Sequence, residues 1–197
     1  MSNVPKSKRK PTTFEASHNL IKLRDEVTKL CMNDFGFSID KATERRNRYY
    51  EQHSNQPNID NTMKNYDKKL QSFEDFFIDD ECKCVLQILR DIVHEFTLGN
   101  SIYPAKNALG IIEYVRRRKH MTKAIGLCFS LRHELNYILR TLPTDRNKYK
   151  NISELIDSEI ALIKGVRKSD NRFLRNIKDT LNLQDITNCL ILDVVTE

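Results

Sequence analysis

The sequence has few of the residues that interrupt regular structure. Among its 197 residues there is no tryptophan, and there are only five glycines and five prolines. These numbers are too small for a turn-rich all-β sandwich, which needs such residues at its many tight turns. The sequence also has no apolar run long enough to cross a bilayer, so we expect no membrane function.

Cysteine is also scarce, and its placement argues against a disulfide framework or a metal site. The five cysteines are Cys31, Cys82, Cys84, Cys128 and Cys189. An odd, scattered set without a secretory signal is typical of reduced thiols, so we expect a cytoplasmic protein. Only one residue separates Cys82 from Cys84, where zinc sites usually have two, and no second Cys/His pair has finger spacing. We therefore expect no metal site and no other cofactor.

The motifs that mark common enzymes are missing as well. The sequence has no glycine-rich phosphate loop, no nucleophile elbow and no HExxH motif. Small helical ribonucleases of the HEPN type carry an arginine, four to six intervening residues and then a histidine. Arg90 with His94, and Arg116 with His120, have three intervening residues. We expect no catalytic residues and no enzymatic activity, and a HEPN-like ribonuclease is kept as a third hypothesis.

Positive charge is present in excess, and it is concentrated in the second half of the chain. Lys and Arg total 33 against 27 for Asp and Glu, which gives a net charge of +6. Residues 104–178 contain 17 basic and seven acidic side chains, whereas residues 60–95 contain nine acidic and five basic ones. A basic segment of this kind indicates an acidic or polyanionic partner.

Apolar residues at helical spacing predict helices along most of the chain. A capping box at Thr12 and Glu15 begins the first helix, and Gly36 has the position of a left-handed C-terminal cap. A short helix is predicted over 41–53, followed by a long helical stretch from Asn61 to Gly99. The acidic cluster at 74–81 indicates a break or kink within that stretch.

Two more long helices are predicted in the basic half. The third runs from Ala105 to Arg140 and ends before Pro143, and the fourth runs from Lys148 to Asn171. Gly126 lies inside the third helix, where a glycine costs helix propensity and permits a close crossing with a neighbour.

The predicted fold class is all-α, most simply an antiparallel up-and-down four-helix bundle with a helical insertion and a C-terminal extension. Residues 1–11 are predicted to be a basic disordered arm, and 12–171 the bundle, with its insertion at 38–78. Residues 172–197 form the extension, which could be a last helix, a strand or a segment that docks on a partner.

The densest cluster of cations predicts a nucleic-acid surface. Our candidate nucleic-acid-binding residues are Arg116, Arg118, Lys119 and Lys123 on the third helix and Lys164, Arg167 and Lys168 on the fourth. On a helical wheel, Arg116, Lys119 and Lys123 lie opposite the core stripe, where cations can contact a phosphate backbone. The alternative is a helix face that is merely solvated.

Arg117 and Arg132 lie instead on the apolar stripe of the third helix. A buried guanidinium needs a carboxylate partner or water. Two interpretations therefore stay open for both residues. Each could form an ion pair with an acidic residue of another helix, or this face could line a subunit interface or a central basic channel in an oligomer.

Three segments carry a family resemblance. They are FEASHNLIKLRDEVTKLCMNDFGFS (Phe14–Ser38), EYVRRRKHMTKAIGLCFSLRHELNYILRTLP (Glu113–Pro143) and IALIKGVRKSDN (Ile160–Asn171). Their helix pattern resembles the four-helix-bundle family of proteins encoded in 23S rRNA intervening sequences. That family includes the accessory variability determinant (Avd) of diversity-generating retroelements. The resemblance covers residues 14–37 and about 79–171.

This resemblance implies a non-enzymatic basic bundle that assembles into a homo-oligomer, a pentamer in the Avd branch. Such a protein binds a reverse transcriptase and its template RNA, and it supports mutagenic cDNA synthesis. No binding residue transfers by motif, so the candidate RNA- or DNA-binding residues remain those chosen from charge. The alternative function is a protein–protein assembly module whose partner is an acidic protein.

Overall fold

The computed structural model describes residues 12–105 and 109–178, with side chains described up to Arg175. Within these ranges every regular element is helical, which confirms the all-α class. The predicted basic arm at 1–11 and most of the predicted C-terminal extension, from 179 onward, lie outside the described residues. No helix in the described ranges is long and apolar enough to cross a membrane.

Helix α1 spans Thr13–Met32 and begins at the predicted capping box. The Thr12 hydroxyl accepts a hydrogen bond from the Glu15 N–H, while the Glu15 carboxylate accepts one from the Thr12 N–H at 3.0 Å. The chain then turns through a short 3₁₀ segment, Asp34–Gly36, where Gly36 has a φ of 76°. Glycine tolerates this left-handed conformation. Gly36 is not the C-terminal cap of α1, however, because the helix ends at Met32 with Asn33 as its cap and Gly36 closes the 3₁₀ segment instead.

The predicted insertion contains two helices, α2 (Ile39–His53) and α3 (Ile59–Ser72). Arg46 on α2 donates two hydrogen bonds to the Asp67 carboxylate on α3, at 3.0 and 2.8 Å, and so holds the two helices together. A π-helical turn, Phe73–Phe77, joins α3 to α4 (Ile78–Ser101). This wider turn lies at the start of the acidic cluster, where a break or kink was predicted.

The remaining helices are α5 (Leu109–Thr141) and α6 (Asn147–Lys178). The predicted start of α5 at Ala105 is wrong, because residues 102–105 are not helical and the Ala105 N–H donates to Glu113 Oε2 at 2.7 Å. Helix α6 continues beyond the predicted end at Asn171 and enters the predicted C-terminal extension.

The long helices contact one another in a closed order. Helix α4 packs on α5, α5 on α6, α6 on α1, and α1 on α4. For example, the Tyr149 hydroxyl near the start of α6 donates to the Phe35 carbonyl after α1, at 3.1 Å. At the other end, Thr12 and Thr13 line the same cavity as Ser169 and Phe173. Both ends of the described chain therefore lie at one end of the molecule.

The core lies between these four helices and includes the predicted apolar stripe of α5. Met121, Ile125, Cys128 and Leu135 are buried, as expected from their spacing. The prediction that Gly126 permits a close helix crossing is wrong, because it is exposed and a Cβ built there would meet nothing within 4 Å. The close approach lies instead at Gly99, where an added Cβ would be 3.2 Å from His120 Cβ.

Candidate nucleic-acid interface

The side of α5 that faces α4 carries a cluster of charges that neutralise one another. Glu95 on α4 is buried and accepts hydrogen bonds from Lys123 Nζ at 2.6 Å and from His120 Nδ1 at 2.8 Å. Burial acts to raise the pKa of Glu95, but the hydrogen bonds from Lys123 and His120 outweigh it and hold the pKa below its ordinary value. The charge of Lys123 is therefore largely compensated within the chain.

Arg116 and Lys119 lie on the same side of α5 as Lys123, two turns and one turn before it. Both side chains make interactions of their own within the protein. The predicted group of Arg116, Lys119 and Lys123 thus forms one surface strip, and at least its last member is paired with an acid.

Arg117 is buried and forms an ion pair with a neighbouring helix. Its Nε donates to Asp170 Oδ2 on α6 at 2.7 Å, and its Nη1 donates to the carbonyl oxygens of Gly99 at 2.8 Å and Ile102 at 3.0 Å. The side chain is only 5% exposed. Arg117 therefore forms the predicted ion pair with another helix, and a role of this face in an oligomer stays a prediction.

Arg132 pairs with an acidic residue of the same neighbouring helix. Its Nη2 contacts Asp157 Oδ1 on α6, and its side chain is 31% exposed. The guanidinium also lies beside the ring of Phe129, with 5.6 Å between the guanidinium carbon and the ring centroid. The ion-pair interpretation therefore holds for Arg132 too, although this residue remains partly accessible.

The side of α5 that faces α6 brings two arginines together without an acid. Arg118 Nη1 donates to the Tyr114 hydroxyl at 3.2 Å and to the Asn171 side-chain oxygen at 3.3 Å. Arg167 on α6 lies close enough that burial first, and then the charge of Arg118, lowers its pKa. Among the described residues, no carboxylate forms an ion pair with either arginine. These two positive charges are therefore uncompensated by the described part of the chain.

Arg167 also has an unused donor. Its buried Nε makes no hydrogen bond to any described group. A buried N–H without an acceptor costs free energy, about 1 to 3 kcal/mol for a typical group. An anion placed between Arg118 and Arg167 would supply the missing negative charge.

Further cations and an aromatic ring continue this surface toward the middle of α5. Lys164 Nζ lies 5.8 Å from the centroid of the Phe129 ring, which is within the range of a cation–π contact. Lys168 follows one turn later on α6. We call Arg118, Phe129, Lys164, Arg167 and Lys168 together the α5/α6 basic face.

The structure therefore divides the predicted nucleic-acid-binding residues between two surfaces. Four of these residues, Arg118, Lys164, Arg167 and Lys168, belong to the α5/α6 basic face. The other three, Arg116, Lys119 and Lys123, lie on the α4 side of α5.

Comparisons of the chain with protein-family models, with curated proteins and with solved structures find no match. What the α5/α6 basic face binds must therefore follow from its own chemistry.

Phe129 was not among the predicted site residues. The sequence nevertheless indicated its exposure. Phe129 follows Met121 by eight residues, and a helical wheel places it about 80° from the buried position of Met121. A large aromatic residue at that angle is expected to lie at the edge of the core or outside it. The structure shows it 47% exposed.

One group of side chains elsewhere has the composition of a metal site. Ligand atoms of Glu81, Cys84 and Glu134 lie within 4.8 Å of one another between α4 and α5. Burial, followed by the nearby carboxylates, raises the pKa of Glu81, and the same causes raise the pKa of Cys84. A metal ligand must be deprotonated, so an ion bound here would displace the proton of Cys84.

Proposed function

We propose that this protein is a non-enzymatic nucleic-acid-binding accessory protein, and that its α5/α6 basic face contacts phosphate groups. The observation that supports this proposal is the pair formed by Arg118 and Arg167, which lacks a carboxylate partner among the described residues. Guanidinium groups form strong charge-assisted hydrogen bonds to phosphate oxygens. A phosphate there would relieve the repulsion between the two arginines.

We also infer that α1, α4, α5 and α6 form the antiparallel up-and-down four-helix bundle expected from the sequence, with α2 and α3 as its insertion. The inference is supported by the closed order of contacts, in which each of these helices packs on the next and α1 packs on α4. Neighbouring antiparallel helices in such a bundle give α5 and α6 a shared outer surface.

We further propose, from the family resemblance, that this protein works with a reverse transcriptase. In that setting the protein would form a homo-oligomer, hold template RNA or cDNA on the α5/α6 basic face and support mutagenic cDNA synthesis. Exposed apolar residues on α1 support the assembly part. Phe14, Ile21 and Met32 are 78%, 60% and 80% exposed and lie on one line of the helix, with the exposed polar residues His18 and Asp25 between them.

Binding of RNA and DNA across a salt series tests the phosphate contacts. Neutralising both arginines (Arg118→Gln with Arg167→Gln) should weaken binding and reduce the slope of log K against log salt by about 0.7 to 0.9 for each phosphate that is no longer neutralised. Arg48→Gln is the matched control, because Arg48 is an exposed surface arginine that pairs with Glu44 at 3.7 Å. Arg48→Gln should leave both the affinity and the salt slope unchanged.

Two results would contradict the proposal. One is negligible binding at low salt. The other is unchanged binding by the double variant together with weaker binding by Lys123→Gln, which would move the contact to the α4 side of α5. A pull-down from nuclease-treated lysate separates the alternative function, because an acidic protein partner would stay bound without nucleic acid.

A ribonuclease is the third hypothesis, and one observation favours it. The His120 imidazole shares a hydrogen bond through Nδ1 with the Glu95 carboxylate, and a carboxylate that orients an imidazole is a common arrangement for general base catalysis. Arg116 precedes His120 by one helical turn. Degradation of RNA by the pure protein that is abolished in His120→Ala would establish this candidate, and intact RNA after long incubation would reject it.

A further inference from the structure

We propose that the α5/α6 basic face binds single-stranded nucleic acid and that one base stacks on the ring of Phe129. This inference rests on the proposed function and adds to it the strandedness of the ligand. It follows from three features of the same surface, namely an exposed aromatic ring, cations beside that ring, and open space over the preceding helical turn.

The first feature is the ring itself. Phe129 is 47% exposed although the nearby positions Cys128 and Leu131 are fully buried. Single exposed apolar residues are common on proteins and alone carry no meaning. Phe129 differs because two cations lie over its ring, Arg132 at 5.6 Å and Lys164 at 5.8 Å from the ring centroid, so a stacking base would take the place of one of them.

The charges of these two cations are not equivalent. Arg132 is paired with Asp157 on α6, whereas Lys164 has no carboxylate partner among the described residues. Lys164 can therefore move from the ring to a phosphate when the attached base stacks on Phe129. Sites for single-stranded nucleic acid combine these two elements, a basic groove for the backbone and aromatic side chains for the bases.

The third feature is the space next to the ring. Gly126 precedes Phe129 by about one helical turn, on the same side of α5. Gly126 is exposed, and a Cβ built on it would meet no atom within 4 Å. A glycine here costs the helix about 1 kcal/mol relative to alanine without serving a close helix contact. The room that it leaves is available to a base.

The distances along α5 suit a short tract of a few nucleotides. Arg118 and Phe129 are eleven positions apart, which is roughly 16 Å along a helix axis. Arg118 and Arg167 would hold a phosphate at one end of this span, and Phe129 with Lys164 would hold a base and its phosphate at the other. In a duplex the bases are stacked inside and cannot reach the ring, so only a single strand can use both ends.

Oligonucleotide binding tests this inference. The ligands are an oligothymidine of about twelve nucleotides, long enough to span the face, and the same strand annealed to oligodeoxyadenosine. Phe129→Ala should weaken single-strand binding by about fivefold to a hundredfold, which is the reduction expected for one stacked base. It should leave duplex binding and the salt slope unchanged. Phe129→Tyr, which keeps the aromatic ring, should bind as the unaltered protein does.

Phe76→Ala is the matched control. Phe76 is 56% exposed, but its sequence neighbours are Glu74, Asp75 and Phe77 rather than basic residues. Removing it should change neither single-strand nor duplex affinity. Lys164→Gln is the complementary variant, and it should lower the single-strand salt slope by about 0.7 because it removes one phosphate contact.

A direct probe of stacking is available because the natural sequence contains no tryptophan. In Phe129→Trp the new residue is the only tryptophan of the protein, and its fluorescence should be quenched when the single strand is added. The same titration of Phe76→Trp should leave the fluorescence unchanged.

The outcomes separate this inference from the proposed function. Equal affinity for single strand and duplex, together with no effect of Phe129→Ala, overturns the stacking site. If the Arg118 and Arg167 double variant still binds more weakly than the unaltered protein in that case, the proposed function stands without the stacking site. Negligible binding of every oligonucleotide at low salt overturns both.

Discussion

Glu159 is a carboxyl group enclosed between α1 and α6. It is 0% exposed, its Oε2 accepts a hydrogen bond from Asn19 Nδ2 at 2.8 Å, and its Oε1 has no hydrogen-bond partner among the described groups. Burial raises the pKa of Glu159 to about 7, and the bond from Asn19 only partly opposes this shift. The folded state therefore prefers the neutral acid.

The first prediction concerns the pH dependence of stability. The pKa in the folded state is above the ordinary value of 4.5, so the favourable contribution of the neutral acid is complete below about pH 4.5 and is lost as the pH rises toward 7. Glu159→Gln should therefore increase the free energy of unfolding by about 2 to 3 kcal/mol at pH 8 and by little at pH 4.5. Urea denaturation at the two pH values measures the difference.

The control for Glu159 lies on the same helix. Glu154→Gln replaces an exposed carboxylate, so it should show no pH-dependent gain in stability. A gain in Glu159→Gln that is equal at low and high pH would mean that the pKa of Glu159 is not raised in the folded protein.

The second prediction compares the two arginines of the apolar stripe. Arg117→Ala should destabilise the protein by about 3 to 5 kcal/mol, because it leaves Asp170 buried without its partner. Arg132→Ala should cost less than about 1 kcal/mol, because Asp157 is 63% exposed and can be solvated. Equal destabilisation of both variants in denaturant unfolding would contradict this ranking.

The sequence allowed part of this residue-level description to be predicted. The helical wheel put Arg117 and Arg132 on the core side of α5, and the need for an acidic partner follows from burial alone. The identity of the partner did not follow, because Asp170 is 53 positions away from Arg117 and six other acids lie in the same basic segment. Only the packing of α5 on α6 selects it.

At the scale of elements, the helical glycines Gly126 and Gly99 differ in their surroundings. Gly126→Ala should raise the melting temperature by a few degrees, because alanine favours the helix by about 1 kcal/mol and nothing lies within 4 Å of the new Cβ. Gly99→Ala should lower it, since its Cβ would press on His120 and Met121. Thermal unfolding of the two variants in parallel is the measurement, and a shift of the same sign in both would contradict the prediction.

Helix ends could be predicted where the signal is local and not where it is distant. The capping box at Thr12 and Glu15 lies within one turn, and the structure forms it as the sequence indicates. The beginning of α5 was misplaced because the Ala105 N–H is bonded by Glu113, eight residues later, and the segment 102–105 stays non-helical. A periodic pattern does not reveal such a contact.

At the scale of the whole molecule, the exposed line of α1 predicts self-association. The native mass in solution should be a multiple of 23.2 kDa, and Ile21→Glu should shift it toward the monomer by adding a negative charge one turn before Asp25 on this line. Leu98→Glu, at a 37% exposed position of α4, is the control and should keep the mass of the assembly. A monomeric mass for the unaltered protein at micromolar concentration would contradict the prediction.

The basic surface shows why charge counts alone could not locate the site. The excess of 17 basic over seven acidic side chains in residues 104–178 was visible in the sequence, but three of its candidate cations lie on the side of α4, where Glu95 pairs with Lys123. The others meet across α5 and α6, where no described carboxylate pairs with Arg118 or Arg167. Which cations lie together depends on how the helices pack, and this is a long-range property.

The common cavity of Thr12, Thr13, Ser169 and Phe173 implies that the order of the helices along the chain can be changed without changing the fold. A circular permutant would join Thr12 to Arg175 through a flexible glycine–serine linker and open new termini in the exposed turn at 54–58. We expect this permutant to unfold cooperatively and to bind nucleic acid through Arg118 and Arg167 as the natural chain does. The covalent order of the helices would then be separable from the surface that they build.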